Sequence, residues 1–332
     1  MPDRPLLSIV CPAYREEEVL PRFHTALVRA IEPLAAEYEV EILYVDDGST
    51  DGTLDVMRQL AADDSRVRYF SLSRNFGQQA ALTAGLEQSR GDAVVSLDTD
   101  LQHPPRVIHD LVIQWRNGAD VVHTIRADDP RLSWFKRASS RLFYKVLSSC
   151  SDLDVRAGAS DYRLLSRRAV DAVLRMQESH RYMRGIVQWL GFRSAEVPFE
   201  PDARGAGTSK YTLRRLIGLA LDGLLSFSSV PYRLTVGVGL GATAISGVFS
   251  IALVLGLVGW SEPAGRVGAI GLAALHIVAA SILLAAGMLG EYVFRIYEQS
   301  KQRPNYLIGE SNAIADVPAV SLPVDRRPSQ AA

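Results

Sequence analysis

Two aspartates one residue apart, Asp98 and Asp100, follow the apolar run Val94 to Leu97 and precede Pro104-Pro105. Alternate residues of an extended chain point to the same side, so both carboxylates would leave the end of a buried strand together. Hard carboxylate oxygens suit Mg²⁺ or Mn²⁺. Mg²⁺ sites commonly use one or two protein carboxylates and fill the rest with substrate phosphates. Taken alone, D-x-D also describes a solvated turn whose aspartate caps the next helix. Its neighbours narrow the choice. Asp46 and Asp47 close a second apolar run, Val40 to Val45, where they could hydrogen-bond a base or ribose hydroxyls. The same Asp46-Asp47-Gly48-Ser49 stretch would also serve as a tight turn with a helix cap.

Such residues need strands and helices to position them. Leu6–Cys11 (stopped at Pro12), Val40–Val45, Val67–Leu72, Ala93–Leu97 and Asp120–Ile125 read as strands. Between them Glu17–Glu37 (ended or kinked at Pro33), Thr53–Ala62, Gln78–Gln88 and Pro105–Asn117 read as helices. This alternation predicts a doubly wound, mostly parallel α/β sheet. In such sheets ligands bind at the loops after the strands, here 12–16, 46–52, 73–77 and 98–103. Further on, Leu132–Ser149 reads as a basic helix, Asp161–Leu165 as a returning strand, and Ser166–Met176 and Tyr182–Leu190 as helices. Arg204–Tyr211 is a glycine-rich basic loop. Leu213–Phe227 is an amphipathic segment suited to the membrane interface.

The chain of 332 residues has a net charge of −1, which excludes a globally basic nucleic-acid binder. Its apolar excess lies late. Leu234–Trp260 (about 27 residues) and Val267–Gly290 (about 24) carry no formal charge and are each long enough to span a bilayer. The short link Ser261–Arg266 predicts a helical hairpin. Lys210, Arg214, Arg215 and Arg233 precede it and Arg295, Lys301 and Arg303 follow, against Arg266 alone in the link. Positive charge sorting therefore places the large N-terminal region and the tail in the cytoplasm. Glycines in both spans permit close helix contact, so a homo-oligomer is an open possibility. No signal peptide is visible at Met1–Pro5. Cys11 and Cys150 show no metal-ligand spacing and read as packed hydrophobes. The expected layout is a catalytic domain at 1–210, juxtamembrane helices at 211–232, two spans within 233–294, and a tail at 295–332 whose end is disordered. No G-x-G-x-x-G or G-x-x-x-x-G-K-[ST] is present, which argues against dinucleotide redox chemistry and P-loop hydrolysis.

Several long motifs carry a resemblance. Val45–Thr53 (VDDGSTDGT), Leu72–Leu86 (LSRNFGQQAALTAGL) and Leu97–Pro105 (LDTDLQHPP) resemble the nucleotide-sugar core of family 2 glycosyltransferases. Ser160–Leu165 (SDYRLL), Arg181–Gly185 (RYMRG), Arg204–Tyr211 (RGAGTSKY) and Gly290–Tyr297 (GEYVFRIY) are similar to polyprenyl-phosphate glycosyltransferases. That group includes bacterial undecaprenyl-phosphate glucosyltransferases and dolichol-phosphate mannose synthases. The resemblance runs from about Leu6 to Tyr306 and implies a GT-A fold, a divalent metal and an inverting transfer. It also implies a multi-pass protein of the bacterial inner membrane. Two departures stand out. Arg15 replaces the asparagine of P-x-Y-N-E, and Ser160-Asp161-Tyr162-Arg163-Leu164 replaces the more common Gly-Asp-Phe-Arg-Leu.

The resemblance assigns Pro12, Tyr14, Glu16, Asp46, Asp47, Asp98 and Gln102 to the nucleotide-sugar. It assigns Asp98 and Asp100 to the metal, and Arg204, Ser209 and Lys210 to the acceptor phosphate, with Arg126 and Arg137 as further candidates. A lipid monophosphate, with a second pKa of about 6 by analogy with phosphoesters, is already a nucleophile and needs cationic positioning more than deprotonation. Arginine offers it a fork and lysine a point charge. Asp161 is the acidic candidate beside the anomeric carbon: it would orient the sugar, balance oxocarbenium character or move a proton, or form a salt bridge with Arg163. Gln102 would touch the sugar, support the metal loop or cap a helix. His103 reads as a surface or capping residue. The catalytic set is thus Asp161, Asp100 and Lys210. The leading function is transfer of one sugar from a UDP-sugar, UDP-glucose foremost, to polyprenyl phosphate. A GDP-mannose-dependent mannose synthase and a non-catalytic membrane scaffold are the alternatives. A processive synthase lacks support because Q-x-x-R-W is absent.

Overall fold

The computed structural model describes residues 4–126, 159–176, 178, 181, 183–200, 230–254 and 264–313. Among the described residues, eight strands form one mixed sheet: β1 (Leu6–Ala13), β2 (Glu39–Asp46), β3 (Val67–Leu72), β4 (Ala93–Ser96), β5 (Val121–Arg126), β6 (Ala159–Ser166), β7 (Ser194–Phe199) and β8 (Ile308–Ser311). Across the sheet the order is β7-β5-β6-β4-β1-β2-β3-β8. Strands β1 to β4 form a parallel core, with β1 pairing β2 on one side and β4 on the other. Strand β6 enters antiparallel between β4 and β5.

Both faces of the core are buried, and the pleat sorts the side chains. Leu7, Ile9 and Cys11 of β1 and Ile42 and Tyr44 of β2 join one apolar cluster, while Val10 and Leu43 join the opposite one. The first face is covered by α1 (Leu20–Ile31), which buries Leu20, Phe23, Leu27 and Ile31 at helical spacing. Pro33 converts the end of that helix into a 3₁₀ turn, Glu32–Ala36. Helix α2 (Thr53–Asp63) and α4 (Ile108–Arg116), the latter entered through a 3₁₀ turn at Pro105–Val107, complete this layer. The other face carries α3 (Gln78–Gln88), α5 (Arg167–Leu174) and α6 (Met183–Trp189).

Helix α3 sits close because of Gly85. A Cβ there would meet Val10 Cγ1 at 2.2 Å and Val45 Cγ2 at 3.2 Å. Gly85→Ala should therefore overpack the α3–sheet seam and lower unfolding free energy by about 1–3 kcal/mol. Denaturant unfolding of the full chain in detergent checks this; an unchanged midpoint would contradict the packing described.

Strand β1 runs through Pro12 instead of stopping there. Val10 O accepts from Leu97 N, so that side of β1 faces β4, and β4 pairs β1 only as far as Val10. Two residues on, the missing Pro12 N–H removes no ladder bond.

Two long helices follow, α7 (Val230–Val254) and α8 (Ala264–Ser300), and they pack on each other. Among the described residues one segment, Ala274–Ser300, is long and apolar enough to cross a membrane; the apolar stretch Thr235–Ile245 of α7 is shorter. The expectation of two spans therefore rests on one such segment here, and a multi-pass chain is not supported by the described residues. The helix containing the second expected span is also longer than its apolar core, running on to Ser300.

The first part of the tail is structured. Strand β8 pairs antiparallel with the edge strand β3. Arg58 donates to both Glu310 oxygens (2.8 and 2.7 Å), and Asn312 accepts from Tyr69 N at 2.8 Å. Chain emerging from α8 thus returns to the sheet. The juxtamembrane segment 211–229, the basic helix expected at 132–149 and the tail beyond 313 lie outside the described residues.

Candidate active site

The chain steps outward from β1 to β2 and β3, then returns to the other side of β1 as β4. That reversal opens a crevice at the carboxyl ends of β1 and β4, the usual ligand position in open α/β sheets. Four loops reach it.

The loop after β1 carries Tyr14, Arg15 and Glu16. Arg15 has φ 56°, a left-handed conformation that asparagine tolerates and arginine rarely adopts. It is fixed on both ends: Arg15 N donates to Ser49 Oγ at 2.9 Å and its guanidinium to Thr50 Oγ1 at 3.0 Å, lying 5.2 Å from the Tyr14 ring centre. Glu16 N donates to Thr53 Oγ1 at 2.9 Å. Pro12 O accepts from Thr99 Oγ1 at 3.3 Å, joining this loop to the one after β4.

The pair after β2 braces loops. Asp46 is buried and accepts from Ser49 N (3.0 Å) and Ser71 Oγ (2.7 Å). Asp47, also buried, accepts from Phe76 N (2.8 Å) and Gly77 N (3.0 Å). Burial pushes the Asp47 carboxyl up, and those two N–H groups pull it back. Both carboxylates therefore set the mouth's shape, with Asp47 pinning the 73–77 loop. Gly48 (φ +64°) is required here, since a Cβ would lie 2.3 Å from the Arg74 carbonyl carbon.

The loop after β4 holds the acidic pair. Asp98 Oδ1 accepts from Gln78 Nε2 at 2.7 Å. Burial raises the Asp98 carboxyl above its ordinary value, and neighbouring Asp161 and Asp100 add to the rise. Asp100 accepts from Gln102 N (3.0 Å) and Gln102 Nε2 (2.8 Å) across a turn in which Leu101 takes φ 64°.

Asp161 comes from β6. The β4–β6 register pairs Ser96 with Arg163, so two further places bring Asp161 level with Asp98. Ser96 Oγ donates to Asp161 O at 2.7 Å. The carboxylate is gripped by two guanidiniums: Arg163 donates to Oδ1 at 2.5 Å, while Arg184 donates through Nε to Oδ1 (3.1 Å) and through Nη2 to Oδ2 (3.0 Å). Burial alone would raise its pKa, but Arg184 and Arg163 outweigh it and push it down to about 2. A carboxylate so held is a weak base. It suits fixed negative charge and the aiming of Arg184.

The structure thus brings together Pro12, Tyr14, Glu16, Asp46, Asp47, Asp98, Asp100, Gln102 and Asp161 around one crevice. Arg126 ends β5, with its backbone opposite Phe199. Arg137, Arg204, Ser209 and Lys210 lie outside the described residues. His103 is a correction: its side chain is 12% exposed and stacks on Tyr162, with ring centres 5.2 Å apart, inside the site. Gln78 and Arg184 are additions; both fell within quoted motifs, but their partners are 20 and 23 residues away.

The donor set is compatible with a divalent cation. Among the described residues no group of three or more His, Cys, Asp or Glu side chains forms a metal cage. Two hard carboxylates at an open mouth, one raised by burial and like charge, fit an ion completed by substrate phosphates.

This chain matches the model of glycosyl transferase family 2 over residues 8–174 and belongs to that family. It is a glycosyltransferase built on a GT-A type mixed sheet. It is similar to the bactoprenol glucosyl transferase of Shigella phage SfX, 36% identical over 302 residues, covering 91% of this chain and 98% of that one. It is also similar to the uncharacterized glycosyltransferase YkcC of Bacillus subtilis (strain 168), 35% identical over 316 residues, covering 92% and 94%. A solved structure of glucosyl-3-phosphoglycerate synthase from Mycobacterium tuberculosis, in complex with Mn²⁺, UDP-glucose and phosphoglyceric acid, aligns with TM-score 0.45. That alignment has 21% identity and covers 67% of this chain and 79% of that one.

Proposed function

We propose that the chain transfers a single sugar from a UDP-sugar, UDP-glucose foremost, to a polyprenyl phosphate, with inversion, at the cytoplasmic face of the bacterial plasma membrane. The observation that carries this reading is the convergence of Asp98, Asp100 and Asp161 on one sheet edge in a chain that also holds the apolar helix segment Ala274–Ser300. The bactoprenol glucosyl transferases, similar over nearly the whole chain, support the lipid acceptor. The expected layout keeps residues 1–210 as the catalytic domain, 211–232 at the interface, and α7 with α8 as the anchor.

Asp98 and Asp100, with Gln102 bracing the latter, would hold Mg²⁺ or Mn²⁺. When bound, such an ion neutralises the departing diphosphate. The remaining work falls to the protein. Asp46 and Asp47 hold the donor loops in shape, and Tyr14 and Arg15 line the nucleotide side of the crevice. Asp161 keeps Arg184 directed at the crevice and offers fixed negative charge beside the anomeric carbon. Arg204, Ser209 and Lys210, with Arg126 and Arg137, would orient the acceptor phosphate. That phosphate is ionised already and needs no base.

A panel of UDP- and GDP-sugars offered with undecaprenyl phosphate tests the reading. UDP-glucose should give a lipid carrying one hexose, and excess EDTA should abolish the product until Mg²⁺ or Mn²⁺ is restored. Undiminished turnover in EDTA would contradict the role of Asp98 and Asp100. Preferential use of GDP-mannose would replace the donor assignment.

A further inference from the structure

We infer that the Ser160 hydroxyl is a specificity-determining hydrogen-bond donor to a substrate oxygen, and that His103 is the positioning residue that aims it. This inference rests on the sugar-transfer reading above. It concerns the position where this chain departs from the more common glycine.

The argument is one of donors and acceptors. A backbone N–H can only donate, and Asp98 N lies 3.0 Å from His103 Nδ1, so Nδ1 presents its lone pair. Asp98 Oδ2, 3.6 Å from the same nitrogen, is too far to compete for it. The proton of the neutral ring is therefore on Nε2, which donates to Ser160 Oγ at 2.9 Å. Ser160 Oγ also accepts from Tyr162 N at 3.2 Å. A hydroxyl has two acceptor lone pairs and one proton. Both lone pairs are engaged from the protein side, so the remaining tetrahedral direction carries the hydroxyl proton. No described group accepts it.

The ring cannot swing away to release this arrangement. It stacks on Tyr162 at 5.2 Å and meets the edge of Phe199 at 6.0 Å, and the Tyr162 hydroxyl is itself anchored to Pro104 O at 3.0 Å. Ser160 is half-buried at the start of β6; its side chain leaves the same face of the strand as Tyr162, opposite to Asp161, and is tied to the acidic loop through His103, which accepts from Asp98 N. A donor fixed there fits a sugar hydroxyl or a phosphate oxygen. His103 also joins the acidic loop to β6, so loop and hydroxyl are set together.

Transfer kinetics on the detergent-solubilised full chain separate the possibilities. The donors are UDP-glucose and its 2-, 3-, 4- and 6-deoxy analogues, with polyprenyl phosphate varied. Ser160→Ala and Ser160→Gly should each lose about five- to tenfold in kcat/KM with UDP-glucose. If the partner is a sugar hydroxyl, one deoxy donor should show no such loss. If it is the acceptor phosphate, the KM for polyprenyl phosphate should rise by that factor while every deoxy penalty stays unchanged. Ser160→Thr should stay within about threefold of wild type. His103→Asn, which can still accept from Asp98 N but cannot reach Ser160, should match Ser160→Ala, and the double variant should be no worse than either. Values within about twofold of wild type for both deletions, or multiplicative losses in the double variant, would overturn the inference. Should wild type transfer nothing, the sugar-transfer reading fails; binding of UDP-glucose and of polyprenyl phosphate, compared between wild type and Ser160→Ala by calorimetry, still decides Ser160.

Discussion

Asp100→Asn is expected to reduce sugar transfer by about a thousandfold while leaving the protein folded. The amide oxygen can still accept from Gln102 N, so the turn that presents position 100 keeps its main constraint. What disappears is a negative charge at the mouth of the crevice that, on the proposed reading, helps hold the cation. Asp98→Asn tests the same point with a different support, because Gln78 already donates to Asp98 Oδ1 and can hold an amide oxygen equally well. Activity measured with saturating UDP-glucose, alongside thermal unfolding of each variant, separates lost chemistry from lost structure. Either variant retaining a tenth or more of wild-type turnover would argue that the acidic pair does not hold the cation.

The second large effect is expected at Asp161, in stability and catalysis together. Its carboxylate sits between Arg163, whose side chain is 3% exposed, and Arg184. Asp161→Asn would remove the negative charge that Asp161 supplies to both guanidiniums, and breaking a buried pair of this kind costs about 3–5 kcal/mol. Because the folded pKa is pushed down to about 2, below the ordinary aspartate value, the ionised form is bound more tightly in the native state. That stabilisation is complete above the ordinary value of about 3.9 and is lost as pH falls toward 2. Wild type should therefore exceed Asp161→Asn in stability by a constant margin from pH 5 upward, and the margin should close in acid. Transfer by the variant should fall by at least about a hundredfold through misplacement of Arg184. The wild-type pH–rate profile should contain no limb from Asp161 between pH 4 and 9. A margin independent of pH down to 2 would contradict the ion-pair assignment.

These expectations show where sequence was a sufficient guide. Strand Val67–Leu72 and helix Gln78–Gln88 have the bounds read from apolar runs and their punctuation, because local pattern and burial agree there. The acidic pair stood out only in company: D-x-D alone also describes a solvated turn, and it was the neighbouring motifs that narrowed the choice. Contacts far apart along the chain were not. Arg184 grips Asp161 from a different element, and β8 meets β3 more than 200 residues away, so no local pattern announces either. Asp46 and Asp47 illustrate the opposite difficulty. The resemblance assigns their motif to the nucleotide-sugar, yet their carboxylates are engaged by Ser71, Phe76 and Gly77, partners visible only once β2 and β3 are side by side. His103 misled because a lone histidine beside two prolines gives no hint that a tyrosine ring on β6 will lie under it.

The strand returned by the tail also bears on orientation. Helix α8 leaves its apolar segment and, within a few residues of Ser300, the chain is hydrogen-bonded into the sheet at Ser73 and Leu72. On the proposed reading of α8 as a membrane anchor, its far end and the glycosyltransferase sheet would lie on one side of the bilayer.

The most direct test follows the label. Full-length protein, purified in detergent, is given UDP-glucose radiolabelled in the sugar together with undecaprenyl phosphate and Mn²⁺, and the organic phase is analysed by mass and radioactivity. The account predicts one labelled hexose per lipid phosphate with wild type and none above background with the Asp98→Asn/Asp100→Asn pair. No labelled lipid from wild type with any nucleotide sugar, or equal labelling by the double variant, would contradict it.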